Sequence, residues 1–183
     1  VDGDETTWGS TRLNQPVLGA VERWRELNAS GLVMGIGSSR VRKTLVERLG
    51  ADAPWRTAIH PSAIVAPSAQ LGTGVVIAAG AIINPDAVIG DFAIINTGAT
   101  VDHDCVIGSY AHIAPGTNLA GSVRIGEGTL VGVGARVIPG QTIGAWAVIG
   151  AGAVVIRSVP DGVTAVGVPA RWPTESPDGS ASR

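Results

Sequence analysis

The sequence predicts a mainly β protein in which very short strands are wound into a coil on a strict six-residue repeat. Branched aliphatic residues recur at every sixth position from Val65 to Val155, sixteen times without a slip. Four residues after each of them lies a second column, from Ala69 to Ala153, that is small almost throughout. Glycine, asparagine or aspartate often follows the aliphatic residue, and these types suit a sharp bend. Together the three observations predict alternating strands and bends over residues 65–154.

The spacing of the two columns explains this geometry. A small residue and the next aliphatic residue are two positions apart, so their side chains share one face of an extended strand. Four positions then separate that aliphatic residue from the following small one, which leaves room for a corner. Tight or left-handed backbone is expected at the first corner position, occupied for example by Gly90, Asp102 and Gly108. An amphipathic helix would need a period of about 3.6 residues, and a flat sandwich would need longer strands.

Residues 1–58 lack the repeat. The stretches 20–27 and 41–49 predict two short helices, the second capped by a serine, and 32–36 predicts a buried strand between them. This alternation of strand, turn and helix is typical of an open α/β sheet.

Two further segments complete the expected organisation. Residues 59–171 form the predicted β-helix domain, because they contain the repeat with its lead-in and its end. Residues 172–183 are rich in proline, serine and glycine, and predict a disordered tail.

Composition limits the functional classes. The formal net charge is -2 and no basic run appears, so nucleic-acid binding is not expected. No apolar stretch is long enough to cross a bilayer and no signal peptide is evident, so no membrane insertion is expected. One cysteine in 183 residues excludes an internal disulfide framework and favours a reducing cytoplasm.

The repeat carries unusually little charge. A fully solvated prism would normally carry more, so other subunits are expected to cover part of it. The charged residues between positions 65 and 154 number seven: Asp86, Asp91, Asp102, Asp104, Arg124, Glu127 and Arg136.

The most distinctive segment is TVDHDCVIGSYAHI at 100–113. The repeat register places Asp102, His103 and Asp104 on a corner, points His112 outward, and points Cys105 into the small inner column. Solvated polar residues are the alternative interpretation of the two histidines. Core filling is the favoured interpretation of the cysteine over a nucleophilic role.

Two histidines beside a carboxylate pair suit acyl transfer to an amine. The amine must lose a proton as the new bond forms, and a histidine with a pKa of ~6.5 can accept it at neutral pH. A neighbouring carboxylate can fix the imidazole tautomer, and a backbone N–H can stabilise the developing oxyanion.

The repeat resembles the hexapeptide-repeat acyltransferases, whose left-handed parallel β-helix winds three hexads into each triangular coil. More narrowly, the chain resembles the bacterial N-acetyltransferases of UDP-4-amino-sugars and their sialic acid O-acetyltransferase-like relatives. The resemblance rests on HDC at 103–105, YAHI at 110–113, NLAGSVRIG at 118–126 and VGVPAR at 166–171. It also rests on VLG at 17–19, GIGSSRVRK at 35–43 and IHPSA at 59–63.

The resemblance implies that His103 is the general base and that Asp104 orients it, with Asp102 as the competing orienting carboxylate. A coil of three hexads would stack Gly121 directly over His103, at one strand spacing of ~4.8 Å. A glycine there would let substrate approach the backbone closely.

The same resemblance implies acetyl-CoA as donor and no metal. His112 and Gly121 match positions near the acetyl group, and Val133 and Ala151 match positions along the pantetheine path. The family is typically trimeric with the cofactor between two subunits, so His103 and His112 are expected to serve one site from different chains.

The family fold begins with a strand and a glycine-rich turn that hold the sugar nucleotide. Residues 1–58 match a Rossmann-like sugar-nucleotide-binding domain that lacks both, so truncation is the expected explanation and a shortened enzyme the alternative. Asp2 and Gly37 match nucleotide-contacting positions, and Gly3 stands where another acid is common.

The leading hypothesis is therefore a cytoplasmic enzyme that N-acetylates a nucleotide-linked amino sugar. One alternative is O-acetylation of a sugar hydroxyl, since the same base would serve. A metal hydratase resembling γ-type carbonic anhydrase would need three histidines on one ion, whereas the coil holds two. A non-catalytic scaffold subunit is the remaining alternative.

Overall fold

The computed structural model describes residues 1–50 and 52–173. From residue 58 onward the chain winds through three parallel sheets of two-residue strands, which form the sides of a triangular prism. The first sheet contains Ile64–Val65, Ile82–Ile83, Thr100–Val101, Asn118–Leu119, Arg136–Val137 and Val154–Val155. The second contains Gln70–Leu71, Val88–Ile89, Val106–Ile107, Arg124–Ile125 and Thr142–Ile143. The third contains Ala58–Ile59, Val76–Ile77, Ile94–Ile95, His112–Ile113, Leu130–Val131, Val148–Ile149 and Thr164–Ala165.

Within a sheet, each strand pairs with the equivalent strands of the preceding and the following coil. His112, for example, lies between Ile94 and Leu130 in the third sheet. The mainly β, parallel β-helix predicted from the repeat is therefore confirmed, as is the expected stacking of positions three hexads apart. The paired strands begin slightly before the repeat, at Ala58–Ile59, and end after it, at Thr164–Ala165.

Both inward columns form the core. Their members from Val75 to Val155 are almost all buried, with Ile83, Ile95 and Ile113 at 0% exposure. Cys105 is also fully buried, which confirms its predicted inward orientation. Small side chains pack against branched aliphatic ones, coil upon coil, and the buried members of this core include no aromatic residue among those described.

The corners differ from the expectation in one respect. Left-handed backbone falls at the third corner position, as at Asp104 and Ser122, and not at the first. Glycine is common at the first corner position for a steric reason, because a side chain there would collide with the next coil. The column that contains Gly90 and Gly108 illustrates this. A Cβ on Gly90 would lie 2.6 Å from the backbone N of Ser109 in the next coil.

The N-terminal segment contains few regular elements. It has a 3-10 helix Glu5–Thr7, a hairpin of Thr11–Arg12 with Gln15–Pro16, a 3-10 helix Val21–Arg25 and an α-helix Ser39–Leu49, here called α1. The predicted helix over 41–49 is confirmed, and so is its serine cap, because the Ser38 hydroxyl accepts a hydrogen bond from the Val41 N–H. The helix expected over 20–27 is the shorter 3-10 turn.

The predicted strand over 32–36 is wrong. Leu32 forms a single parallel β-bridge to Trp55. Among the described residues, no other position of this segment pairs with a neighbouring strand. A strand needs a partner along its whole edge to satisfy its backbone groups. The Rossmann-like sheet is accordingly not confirmed.

Helix α1 packs against one corner of the prism. Phe92 and Tyr110, which belong to successive coils, stack there with their ring centroids 5.5 Å apart, and Trp55 meets Phe92 edge-on. Arg42 of α1 is buried beside them. At the far end, Trp172 packs on the core and stacks under Arg157. Residues 174–183, most of the predicted tail, lie outside the described residues.

Candidate active site

His103 lies on the corner between the first and second sheets. Val101 and Cys105 anchor this corner in the core, and Asp104 occupies its left-handed position with φ 58°. Aspartate tolerates that conformation better than most residues. The corner is also tied to the preceding coil, because the Asp104 N–H donates to the Pro85 carbonyl.

The two carboxylates beside His103 do different things. His103 Nδ1 lies 2.7 Å from Asp104 Oδ2, so the imidazole donates its Nδ1 proton to that carboxylate. Asp102 Oδ1 instead accepts two bonds of 2.8 Å, from the His103 backbone N–H and from the Asn84 amide. In this geometry Asp104 orients the ring, whereas Asp102 holds the corner backbone.

These contacts shift the protonation equilibria in opposite directions. The hydrogen bond to Asp104, and then the charge of Asp102, raise the pKa of His103 above its ordinary 6.5. The bonds from Asn84 and from the His103 N–H lower the pKa of Asp102. Among the described residues His103 Nε2 has no hydrogen-bond partner, which leaves its lone pair free.

Gly121 lies one coil beyond His103, as the predicted stacking requires. A Cβ at this position would be 2.6 Å from His103 Nε2, so only glycine leaves the ring where it is. The two residues line an open groove of about 400 Å³ together with Ala120, Ser122 and Pro139. A reacting group in this groove could reach both the free imidazole nitrogen and the Gly121 backbone.

His112 lies in the third sheet and is bound on both ring nitrogens. Its Nδ1 is 3.1 Å from the Gly37 carbonyl, and its Nε2 is 3.0 Å from the Asn96 amide nitrogen. A carbonyl only accepts and an amide NH₂ only donates, so Nδ1 carries the proton and the ring is neutral. Burial, as the largest cause, lowers the pKa of His112 below 6.5.

One chain does not bring the predicted donor-site residues together. His103 and Gly121 lie on the first–second corner, whereas His112 lies on the third sheet, which is the opposite side of the prism. Val133 and Ala151 lie on the third–first corner in successive coils, and both are exposed.

The two predicted nucleotide contacts lie in the N-terminal segment but at different cavities. Asp2 lines a cavity of about 320 Å³ whose walls include Trp24, Met34 and Trp55. Gly37 lines another groove, between the start of α1 and the third sheet. The Asp2 carboxylate accepts a bond from the Asp4 N–H.

Sequence reasoning missed Asn84 and Asn96. Both stand at the first corner position, where they were interpreted only as residues that permit a bend. Each instead extends its amide to a residue of the next coil, Asn84 to Asp102 and Asn96 to His112. The available signal was their place in the repeat, close to one coil length before those partners.

Cys105 takes no part in this site. Its thiol is buried and bonds to the Ala120 carbonyl, and burial raises the pKa of the thiol. Within residues 1–50 and 52–173, no group of three His, Cys, Asp or Glu side chains is arranged to hold a metal ion. No helix in the same ranges is both long and apolar enough to cross a membrane.

Family comparison gives a match over the site region. The family model described as "Bacterial transferase hexapeptide (six repeats)" matches residues 86–121 of this chain. A Bacillus subtilis protein described as UDP-N-acetylbacillosamine N-acetyltransferase is 54% identical over 48 residues, 26% of this chain. The aligned stretch spans 22% of that relative.

Solved structures match over most of the chain. PerB from Caulobacter crescentus, in complex with CoA and GDP-perosamine, is 50% identical, with a TM-score of 0.84 over 87% of this chain and 79% of its own. Variants of that enzyme with one histidine replaced by asparagine or alanine have also been solved. The acetyltransferase domain of PglB from Neisseria gonorrhoeae is 37% identical, with a TM-score of 0.87 over 92% of this chain and 84% of its own. It has also been solved with acetyl coenzyme A.

Proposed function

The chain belongs to the hexapeptide-repeat family of sugar-nucleotide N-acetyltransferases, and from this premise we propose that it acetylates the amino group of a nucleotide-linked amino sugar in bacterial glycan synthesis. Acetyl-CoA is the donor. The observation that carries the proposal is the His103 imidazole, which Asp104 fixes through Nδ1 while Nε2 faces an open groove.

His103 is the general base. Its Nε2 accepts the proton that the sugar amine loses as the new C–N bond forms to the thioester carbonyl carbon. Asp104 keeps the proton on Nδ1 and stabilises the imidazolium that results. When the C–S bond breaks, His103 returns the proton to the leaving sulfur, so no net proton remains on the enzyme.

Gly121 stabilises the carbonyl oxygen of the thioester. Its backbone N–H has no acceptor among the described residues, and the missing side chain leaves the backbone open beside His103. A backbone N–H in this position can donate to the negative charge that develops on that oxygen. Acetyl-CoA supplies an activated acetyl group on a sulfur leaving group.

The donor binds between two subunits of a homotrimer. His112, Val133 and Ala151 contact its acetyl and pantetheine parts, and Val133 is 55% exposed in the single chain. Because His112 lies on the side of the prism opposite His103, the two can act on one donor only from neighbouring chains. Exposed apolar side chains on the prism support such an interface; they include Ile64, Val88, Ile138 and Val148.

The acceptor's nucleotide binds to the N-terminal segment, with Asp2 and Gly37 as contacts. The low basic charge of the chain and its single buried thiol support a cytoplasmic enzyme that binds no nucleic acid.

The test is thiol release by the purified chain from acetyl-CoA in the presence of nucleotide-linked amino sugars. GDP- and UDP-linked 4-amino sugars are compared with the matching hydroxy sugars. The buried Cys105 keeps the protein's own contribution to a thiol reagent low. Release that depends on the amine and is lost in His103→Ala, by about 10²-fold or more, supports the proposal.

The product then distinguishes N- from O-acetylation. An amide survives mild hydroxylamine, whereas an ester is cleaved by it. Release from hydroxy sugars with a hydroxylamine-labile product would assign the O-acetyltransferase alternative. Tight CoA binding without turnover on any acceptor would favour the scaffold.

A further inference from the structure

Arg42 is a buried cation that no carboxylate neutralises among the described residues. It is 0% exposed, and every partner of its guanidinium is a carbonyl or a hydroxyl. The partners are the carbonyls of Ile36, Gly37, Phe92, Tyr110 and Ala111 and the hydroxyl of Ser39, at 2.6 to 3.5 Å.

Burying a charge in this way carries a desolvation penalty. Desolvation lowers the pKa of Arg42 to about 10, which still leaves the side chain charged at neutral pH. A leucine or methionine would fill the same volume without the penalty. The five donors of a guanidinium, held in one plane, can instead join backbone segments that no apolar side chain could hold in register.

Three segments meet at Arg42: helix α1, which carries it, the aromatic corner of the β-helix, and the loop before α1. Nε and Nη2 bind the aromatic corner of the β-helix at Phe92 and Tyr110. Nη1 binds the loop before α1 at Ile36 and Gly37. Arg42 therefore fixes that loop relative to the prism. Its partners on the prism, Phe92 and Tyr110, lie 50 and 68 residues further along the chain.

The Gly37 carbonyl is where this arrangement reaches the active site. It accepts from Arg42 Nη1 and from His112 Nδ1, each at 3.1 Å. On the other side of the imidazole, Asn96 presents its amide nitrogen because its oxygen is engaged by the Thr97 N–H at 2.8 Å. The His112 ring is thus held from both ends, one end by the loop that Arg42 anchors.

We propose that Arg42 is a positioning residue, which holds the Gly37 carbonyl so that His112 is locked as the neutral Nδ1–H tautomer. This inference rests on the proposed function, in which His112 contacts the donor and Gly37 the acceptor. Arg42 then couples the acceptor-binding loop and the donor-binding histidine through a single carbonyl oxygen, although it touches neither substrate.

The first test is spectroscopic and requires no turnover. Long-range ¹H–¹⁵N spectra of histidine-labelled protein distinguish the two tautomers, and single substitutions of His60, His103 and His112 assign the signals. In the unmodified protein His112 is expected as the Nδ1–H form at neutral pH and above, because burial lowers its pKa below 6.5. In Arg42→Lys and Arg42→Met, it is expected to exchange between tautomers.

The second test is kinetic. Arg42→Lys retains the charge but cannot bridge all three segments, and it is expected to raise the KM for donor and acceptor about tenfold with kcat little changed. Arg48→Met is the matched control, because Arg48 lies on the same helix, is half exposed and pairs only with Glu22 among the described residues. It is expected to leave both readouts unchanged.

Two results would overturn the inference. One is a folded Arg42→Lys protein with the His112 tautomer and both KM values unchanged. Another is failure of both Arg42 variants to fold, since that would make Arg42 a folding residue. Absence of acetyl transfer in the unmodified chain, with the tautomer still dependent on Arg42, would refute the proposed function but retain the positioning role.

Discussion

The His103 imidazole lies against the backbone of Gly121, one coil further along the prism. The contact is close enough that a Cβ at position 121 would be 2.6 Å from Nε2 and 2.7 Å from Cε1. Position 121 does not have the left-handed φ that would make a side chain unfavourable in itself. Glycine is required there by the neighbouring ring.

Gly121→Ala is therefore expected to displace the base without unfolding the coil. The exposed His103 ring can swing away, so the thermal midpoint should change little. Misplacement of the ring by about 1 Å should lower kcat about a hundredfold. Steady-state kinetics and a melting curve measure both effects.

Ser109→Ala is the control, because Ser109 occupies the same corner position on a different corner. Near-normal kcat in Gly121→Ala would show that the His103 ring need not lie where the structure has it.

The pH dependence of kcat/KM should follow His103. A general base must be neutral, so kcat/KM is expected to rise with pH through the pKa of His103, which Asp104 and Asp102 raise above 6.5. Asp104→Asn removes the largest cause of that shift, so the acid limb should move to lower pH. The plateau should also fall, because the tautomer is no longer fixed.

The acceptor amine titrates identically for both proteins, so the difference between the two profiles reports the enzyme. An acid limb that stays in place in Asp104→Asn but moves in Asp102→Asn would assign the orienting role to Asp102 instead.

Cys105 is expected to be inert. Its pKa is raised by burial and its Sγ lies 3.2 Å from the Ala120 carbonyl, so a thiol reagent should modify it only after unfolding. Cys105→Ala should keep kcat within about twofold and lower the free energy of unfolding by about 1 kcal/mol. Complete loss of turnover in a stable Cys105→Ala protein would restore the nucleophile hypothesis.

Mixed oligomers test whether one site draws on two chains. If the proposed homotrimer forms, His103→Ala and His112→Ala proteins should each be impaired when assembled alone. A randomly assembled population should recover about a quarter of the normal turnover, and isolated mixed trimers about a third, because a site is intact only where a His103-bearing chain meets a His112-bearing chain in the right order. Differently tagged, co-expressed chains allow the mixed species to be isolated. No recovery would mean that both histidines act from one chain or do not share a site.

The repeat made much of this protein predictable. Whether a side chain in a hexad faces the core depends on strand periodicity, which is a local property. The repeat by itself determined that Cys105 points inward and that His103 lies on a corner, and the three hexads per coil that the family resemblance implies placed Gly121 over it.

Other features depend on partners far along the chain. The predicted strand over 32–36 failed because a strand forms only where a neighbour pairs with it. Asp104 rather than Asp102 holds the His103 ring, and Asp102 is instead bound by the Asn84 amide, 18 positions earlier in the chain. The bond from His112 to Gly37 joins residues 75 positions apart. The prism carbonyls that Arg42 binds lie 50 to 69 positions further along the chain.

The sequence therefore determined the scaffold and the chemical type of the site, because a strict repeat specifies which positions of each hexad face the core and which face outward. Only the tertiary structure decided which groups hold each histidine and in which tautomer. Hydrogen bonds between distant segments leave no periodic signal in the sequence.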